Sequence, residues 1–205
     1  FAEALDKILA LLDQLAADGI VLHHIDLGGG LGIRYRDEDP PSVRAYLQPM
    51  LQKIGRRRLQ ILVEPGRRLV GNAGVLLTRV EYLKPGEAKN FAIVDAAMND
   101  LARPALYGSW HDIVPVVTRQ ATRLPWATVG PVCESGDFLG RSRELALADG
   151  DLLAILSAGA YGMVMSSNYN SRPRAAEVMV DGSAVYLVRR REEIEELYAL
   201  ERRLP

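Results

Sequence analysis

His24-Ile25-Asp26-Leu27-Gly28-Gly29-Gly30-Leu31-Gly32 decides how the first third of the chain is read. The apolar run at residues 20–27 has strand character, and the glycines break it. Upstream, Leu5, Ile8, Leu9, Leu12 and Leu15 repeat with helical period, and Gly19 follows as a stop signal. Downstream, residues 37–42 form a polar loop with Pro40 and Pro41, and Ser42 stands as N-cap for a helix to about residue 54. Residues 59–63 are a short apolar run fit for a buried parallel strand, ended by Glu64-Pro65-Gly66. Helix, strand, helix, strand over residues 1–64 is the pattern of an α/β sheet or barrel.

The pattern changes near residue 72. Short strand-like runs follow at 75–82, 91–94, 113–117, 127–129, 152–156, 175–180 and 185–189. Pro85-Gly86, Asp149-Gly150 and Asp181-Gly182 punctuate them as turns. This predicts an all-β domain over 73–205 after an α/β part over 1–72. Residues 192–204 read as a terminal amphipathic helix.

The 205 residues carry 25 Lys+Arg against 26 Asp+Glu, a formal charge of −1. That balance excludes a strongly basic nucleic-acid binder and an acidic tail. With 48% hydrophobic and 25% charged residues, the chain has the composition of a globular protein. A single cysteine, Cys133, excludes an internal disulfide framework and a multi-cysteine metal site, and suits a reducing, cytoplasmic setting. Three histidines without metal-ligand spacing argue against zinc, and one of His23 and His24 is expected to face a core. The long uncharged stretch at 152–171 contains Ser157, Gly159, Gly162, Ser166, Asn168 and Asn170, too polar for a membrane span. The expectation is a soluble protein with neither a membrane nor a nucleic-acid partner. Phe1 stands where an initiator Met would, and no signal-peptide pattern follows, so the chain is expected to begin inside something longer.

Five stretches bear on chemistry. The glycine run lets bare amides approach an anion, although the dinucleotide fingerprint fails at Ile33; a phosphate site and a plain strand-end turn both fit. Glu64-Pro65-Gly66-Arg67 offers a second pair of consecutive amides just past a strand, or a polar turn. Two such turns on successive strands would lie near each other and favour one phosphate-bearing ligand. Gly130-Pro131-Val132-Cys133-Glu134-Ser135-Gly136-Asp137 sets a lone thiol beside two acids. A thiol donates a proton near neutral pH, and a structural cysteine and a redox sensor are its other readings. The loop at 95–107 holds Arg103, suited to grip a carboxylate, and Tyr107. Ala158-Gly159-Ala160-Tyr161-Gly162 follows an apolar run, and its small residues admit close packing or simply a tight turn.

In this order, these stretches resemble the diaminopimelate decarboxylases, of the alanine-racemase-like (fold type III) group of pyridoxal-phosphate enzymes. The resemblance implies the C-terminal part of a (β/α)8 barrel followed by a β-barrel or β-sandwich domain. It implies decarboxylation of meso-2,6-diaminopimelate to L-lysine and CO2 with pyridoxal 5'-phosphate as electron sink. Carried over, Gly29 and Glu64, Pro65, Gly66 and Arg67 hold the cofactor phosphate. Arg67 also contacts substrate, and Tyr161 touches cofactor and substrate. Arg103 and Tyr107 bind the distal carboxylate of the amino-acid substrate, Glu134 pairs with its distal ammonium, and Cys133 is the catalytic proton donor. Cys133 and Glu134 reach the site from the partner subunit, so a homodimer is implied.

The family's cofactor-carrying lysine lies on the first barrel strand, upstream of everything here, and Lys7, Lys53, Lys84 and Lys89 sit in no comparable motif. The expectation is therefore the C-terminal half of a decarboxylase, inactive and unstable without the N-terminal half of its barrel. A related ornithine, arginine or carboxynorspermidine decarboxylase is one alternative, although Glu134-Ser135 departs from the Asp expected after the cysteine of ornithine enzymes. A non-catalytic binding relative of the same fold is another, and an amino-acid racemase, which needs a second base, ranks below both.

Overall fold

The computed structural model describes residues 2–204 and divides into two units, Phe1–Asn72 and Ala73–Pro205. In the first, α1 (Ala2–Ala17) buries Leu5 and Leu9, and α2 (Val43–Ile54) buries Met50 and Ile54. Both pack with Ile25 of β1 (His24–Asp26) into one small core. Ser42 caps α2, its hydroxyl accepting from Ala45 N at 3.2 Å. β2 (Gln60–Leu62) pairs with β1 in parallel, Ile25 opposite Ile61. Among the described residues these two strands pair only with each other, so the unit holds no closed barrel.

That narrowness corrects two expectations. The strand read at 20–27 is only three residues long, and Ile20, Val21 and Leu22 are exposed. The run at 59–63 is a parallel strand but not a buried one, since a two-stranded sheet leaves Leu62 and Val63 open. His23 and His24 are likewise both exposed. The Glu64–Arg67 turn leads directly into a short helix, α3 (Gly66–Val70).

The second unit is built on a six-stranded mixed sheet. Its strands are β3 (Leu76–Lys84), β4 (Asn90–Val94), β5 (Ile113–Pro115), β6 (Leu124–Val129), β7 (Phe138–Leu145) and β8 (Leu152–Ile155). They are ordered β5-β8-β3-β4-β6-β7, and only β4 and β6 run parallel. The sheet bends until its edge strands approach: a Cβ on Gly140 of β7 would lie 2.7 Å from Ile113 Cδ1 of β5. Inside the bend, Val80, Val94, Leu101, Leu139, Leu153 and Ile155 are fully buried.

β7 escapes the sequence reading for a physical reason. Its alternation is broken by a bulge: Trp126 faces Arg143 and Thr128 faces Gly140, three residues of β7 against two of β6. Ser142 absorbs the extra residue at φ 50°. The bulge turns Arg143, a residue that reads as solvent-facing, into the interior. The loop at 95–107 also contains a helical turn, α4 (Arg103–Tyr107), with Pro104 inside its first turn and Gly108 in the left-handed region after it.

A separate hairpin, β9 (Glu177–Asp181) and β10 (Ala184–Arg189), follows the sheet. The helix read at 192–204 shrinks to the single turn α5 (Ile194–Leu197). Leu200 and Leu204 are almost wholly exposed, so nothing repays the entropy of extending it. No helix among the described residues is long and apolar enough to cross a membrane.

Candidate functional site

In the first unit the two glycine-bearing turns stand side by side because β1 and β2 are parallel neighbours. Glu64 N donates to Gly28 O at 2.9 Å, and Gly28 N donates to Asp26 Oδ1 at 2.8 Å. A Cβ on Gly29 would sit 2.5 Å from the Glu64 carbonyl oxygen, so only glycine fits there. Above Gly28 and Gly66 the same Cβ would meet nothing within 4 Å, leaving bare backbone open on that side. Tyr46 Oη donates to Gly29 O at 3.1 Å and steadies the glycine run. The Arg67 guanidinium lies 5.9 Å from the Tyr35 ring centroid. The Gly28 and Gly66 amides themselves donate, to Asp26 Oδ1 and to Glu64 O at 2.9 Å, so what the turns offer a small anion is uncrowded backbone and the nearby guanidinium. Tyr35 and Tyr46 were not singled out in the sequence, since two tyrosines in polar surroundings carry no signal of their own.

In the second unit Arg103 opens α4 and is only 9% exposed, an unusual degree of burial for a guanidinium. Its Nη2 donates to Ser109 Oγ at 3.2 Å, and its Cζ lies 5.5 Å from the Tyr161 ring centroid. Arg103 and Tyr161 are thus brought together across 58 residues of sequence. Tyr107, by contrast, hangs exposed at the end of α4.

Tyr161 occupies the left-handed region at φ 60°, which costs a non-glycine residue about 1–3 kcal/mol. Its surroundings enforce the strain. Ala158 N donates to Gly74 O at 2.8 Å, and a Cβ on Gly74 would lie 2.5 Å from Gly159 Cα. A Cβ on Gly162 would collide with the Ala158 carbonyl oxygen. The small residues therefore mark close backbone packing that holds the ring out of its preferred backbone geometry.

Cys133 is exposed, which removes the buried-structural reading of the thiol. Glu134 is exposed beside it, with Oε2 accepting from Tyr169 Oη at 3.3 Å and Oε1 from Gly136 N at 3.1 Å. The second acid of that stretch has a different task. Asp137 is 4% exposed and turned inward. It accepts from Met98 N at 2.7 Å and Val132 N at 2.8 Å, stapling the cysteine loop to the 95–100 loop. Gly130 is obligatory at the foot of this staple, since a Cβ there would meet Asp137 Oδ2 at 2.5 Å. The cysteine loop and the arginine loop border one open cleft of about 540 Å³, with Ser135 and Gly136 on one side and Pro104, Ser109 and Trp110 on the other.

His111 is the buried histidine of the chain, and no sequence signal picked it out. Its Nδ1 lies 2.9 Å from Leu156 O. Burial, with the charges of Arg103 and Arg143 added, pushes its pKa below the usual imidazole value, so the ring is neutral. Nδ1 accordingly carries the proton and donates to the carbonyl. No group of three or more His, Cys, Asp or Glu among the described residues is placed to hold a metal ion.

The family described as "Pyridoxal-dependent decarboxylase, C-terminal sheet domain" matches residues 10–159. Diaminopimelate decarboxylase of Vibrio cholerae is 58% identical over 206 residues, covering 100% of this chain and 49% of the relative. The Pseudomonas aeruginosa diaminopimelate decarboxylase is 60% identical over 205 residues, again 49% of its length. The crystal structure of diaminopimelate decarboxylase from Helicobacter pylori complexed with L-lysine superposes with TM-score 0.92 at 40% identity, covering 98% of this chain and 50% of that one. The chain spans about half the length of the curated relatives it matches. On this evidence the chain belongs to the pyridoxal-dependent decarboxylases that share this C-terminal sheet domain.

Proposed function

We propose that this chain serves a decarboxylase that converts meso-2,6-diaminopimelate to L-lysine and CO2 with pyridoxal 5'-phosphate. The observation that carries the reading is identity of 58–60% to curated diaminopimelate decarboxylases along the whole chain. The geometry within each unit supports it separately. When bound, the pyridoxal group takes up the electron pair released as CO2 departs. The paired turns at Gly29 and at Glu64, Pro65, Gly66 and Arg67 would hold its phosphate, in the space left beside the Gly28 and Gly66 backbone and with the charge of Arg67.

Arg103, already oriented by Ser109 and Tyr161, grips the distal carboxylate, and the exposed Tyr107 hydroxyl joins it. Tyr161 contacts cofactor and substrate from its strained turn. Glu134, exposed and held between Gly136 N and the Tyr169 hydroxyl, pairs with the distal ammonium. Cys133 Sγ supplies the proton that replaces the lost carboxylate. In this reading Cys133 and Glu134 act across a homodimer interface, which suits two exposed side chains at the tip of a stapled loop. The first unit is read as the end of a (β/α)8 barrel, supported by its parallel strand pair and flanking helices. By the family resemblance, the cofactor-carrying lysine belongs to the half of the relatives that this chain does not match.

The test uses the full-length enzyme with diaminopimelate and ornithine in parallel. Faster CO2 release from ornithine would overturn the substrate. Cys133→Ala should lower kcat by about 10²–10⁴ while cofactor absorbance persists, because it removes only proton transfer. Loss of cofactor in that variant would contradict the role. Arg103→Ala should raise KM for diaminopimelate by roughly tenfold or more, the worth of a charged hydrogen-bonded pair. An unchanged KM would refute the clamp.

A further inference from the structure

We infer that Arg143 is a positioning residue for Arg103: it fixes the segment that aims the Arg103 guanidinium at the distal carboxylate. The inference rests on the proposed reading of Arg103 as the carboxylate clamp. Arg143 reaches the interior only through the β7 bulge at Ser142, and it is 6% exposed. Its guanidinium stacks 3.2 Å from the Trp110 ring centroid, and Nη2 donates to His111 O at 2.9 Å. The same segment is tied from other sides as well. Trp110 Nε1 donates to Asp112 Oδ1 at 2.7 Å, and the His111 ring is bonded to Leu156 O. Ser109, the neighbour of this pinned pair, accepts from Arg103 Nη2 and donates its own N–H back to Arg103 O at 3.4 Å.

The chain of contact therefore runs from Arg143 to Trp110 and His111, then to Ser109, then to Arg103. Stability alone is a poor reason for this choice. A second buried guanidinium near Arg103 and His111 adds repulsion and desolvation, and a methionine would fill the space over Trp110 without either. What arginine supplies is a planar stack and a directed donor in one group. A clamp must hold its geometry before substrate arrives, and the bulge delivers the residue that holds it. Arg143 also lines the cleft beside Trp110, so an effect through Arg103 must be separated from a direct one.

The test measures binding of L-lysine and of cadaverine to the cofactor-loaded full-length enzyme by calorimetry. Lysine carries the carboxylate that Arg103 grips; cadaverine lacks it. Arg143→Met should raise the Kd for lysine about tenfold, leave that for cadaverine within about twofold, and raise KM for diaminopimelate more than it lowers kcat. Arg143→Lys, which keeps the charge but not the planar stack, should recover only part of the loss. Equal weakening of both ligands, unchanged lysine binding, or full recovery with Lys would overturn the inference. Should Arg143→Met not fold, Ser109→Ala decides: it should weaken lysine alone by about threefold or more, and unchanged lysine binding there breaks the relay. Arg103→Ala separates the two levels. If it leaves lysine binding intact, the clamp reading fails; if it weakens lysine while the Arg143 and Ser109 variants do not, only the positioning role fails.

Discussion

Asp137→Asn should loosen the cysteine loop and slow proton delivery without altering substrate affinity. The carboxylate accepts one N–H from each of two loops, Met98 at 2.7 Å and Val132 at 2.8 Å, and is 4% exposed. Bonds to a charged acceptor are worth about 1.5–3 kcal/mol each. Asparagine keeps one oxygen, but its amide would point a donor at the other N–H. One bond is lost and two buried donors face each other, costing about 1–3 kcal/mol more. The cheaper burial of a neutral amide offsets part of this, leaving a net loss of roughly 2–4 kcal/mol. Gly130 leaves no slack, because even a Cβ there would lie 2.5 Å from Asp137 Oδ2. In a thermal scan of the full-length enzyme the unfolding of this domain should move down by about 5–15 °C. Because Val132 precedes Cys133, kcat should fall about tenfold while KM stays within about twofold. A Tm within about 1 °C of the parent and an unchanged kcat would refute the staple.

Three further outcomes follow from packing and charge. Gly74→Ala drives a Cβ to 2.5 Å from Gly159 Cα, backbone against backbone, so a loss of about 1–3 kcal/mol and a displaced Tyr161 turn are expected; denaturant unfolding and KM for diaminopimelate measure both. Leu139→Ala removes a fully buried side chain from the bent sheet and should cost about 2–5 kcal/mol, read as a shift in the urea midpoint with unchanged m-value. His111 titrates in the folded chain below the 6.5 of the free side chain, so as pH falls through that value the unfolded chain takes up a proton that the folded one refuses. Stability should therefore drop with acidification by at most about 1.4 kcal/mol per pH unit, and His111→Asn should remove that slope; parallel stability profiles for the two proteins would show the burial penalty to be absent.

The fold was legible wherever local pattern and tertiary environment agree. Ser42 announced α2 because its hydroxyl does what an N-cap does, and the apolar runs at 91–94 and 152–156 appear as β4 and β8. Legibility failed where the environment overrides the pattern. Ile20, Val21 and Leu22 have strand composition, yet β1 pairs only where β2 lies opposite it, at residues 24–26. The periodicity of 192–204 gives an amphipathic helix on paper, but a helix needs an apolar surface to cover, and Leu200 and Leu204 have none among the described residues. β7 is the instructive miss, since Arg141, Arg143 and Glu144 hide a strand whose alternation slips by one residue at Ser142.

The candidate site divides along the same line. The residues that the proposed reaction gives to the ligand were readable because their chemistry is local: a thiol beside a glutamate, glycines after a strand, an arginine before a tyrosine. Residues that hold those in place were not, because nothing about Asp137, His111 or Arg143 in the linear chain distinguishes them from surface polar residues. What sets them apart is burial in the service of backbone atoms: amides of Met98 and Val132, the carbonyl of Leu156, the carbonyl of His111. A charged group spent on backbone fixes loops rather than binding a partner. Arg103 and Tyr161 mark the boundary between the two classes: Arg103 is held by the Ser109 hydroxyl and the Tyr161 ring, and the proposed reaction gives both residues a role toward the ligand. Substitutions in the first class should change chemistry at constant fold, and those in the second should change fold and chemistry together, in proportion to how far each loop is freed.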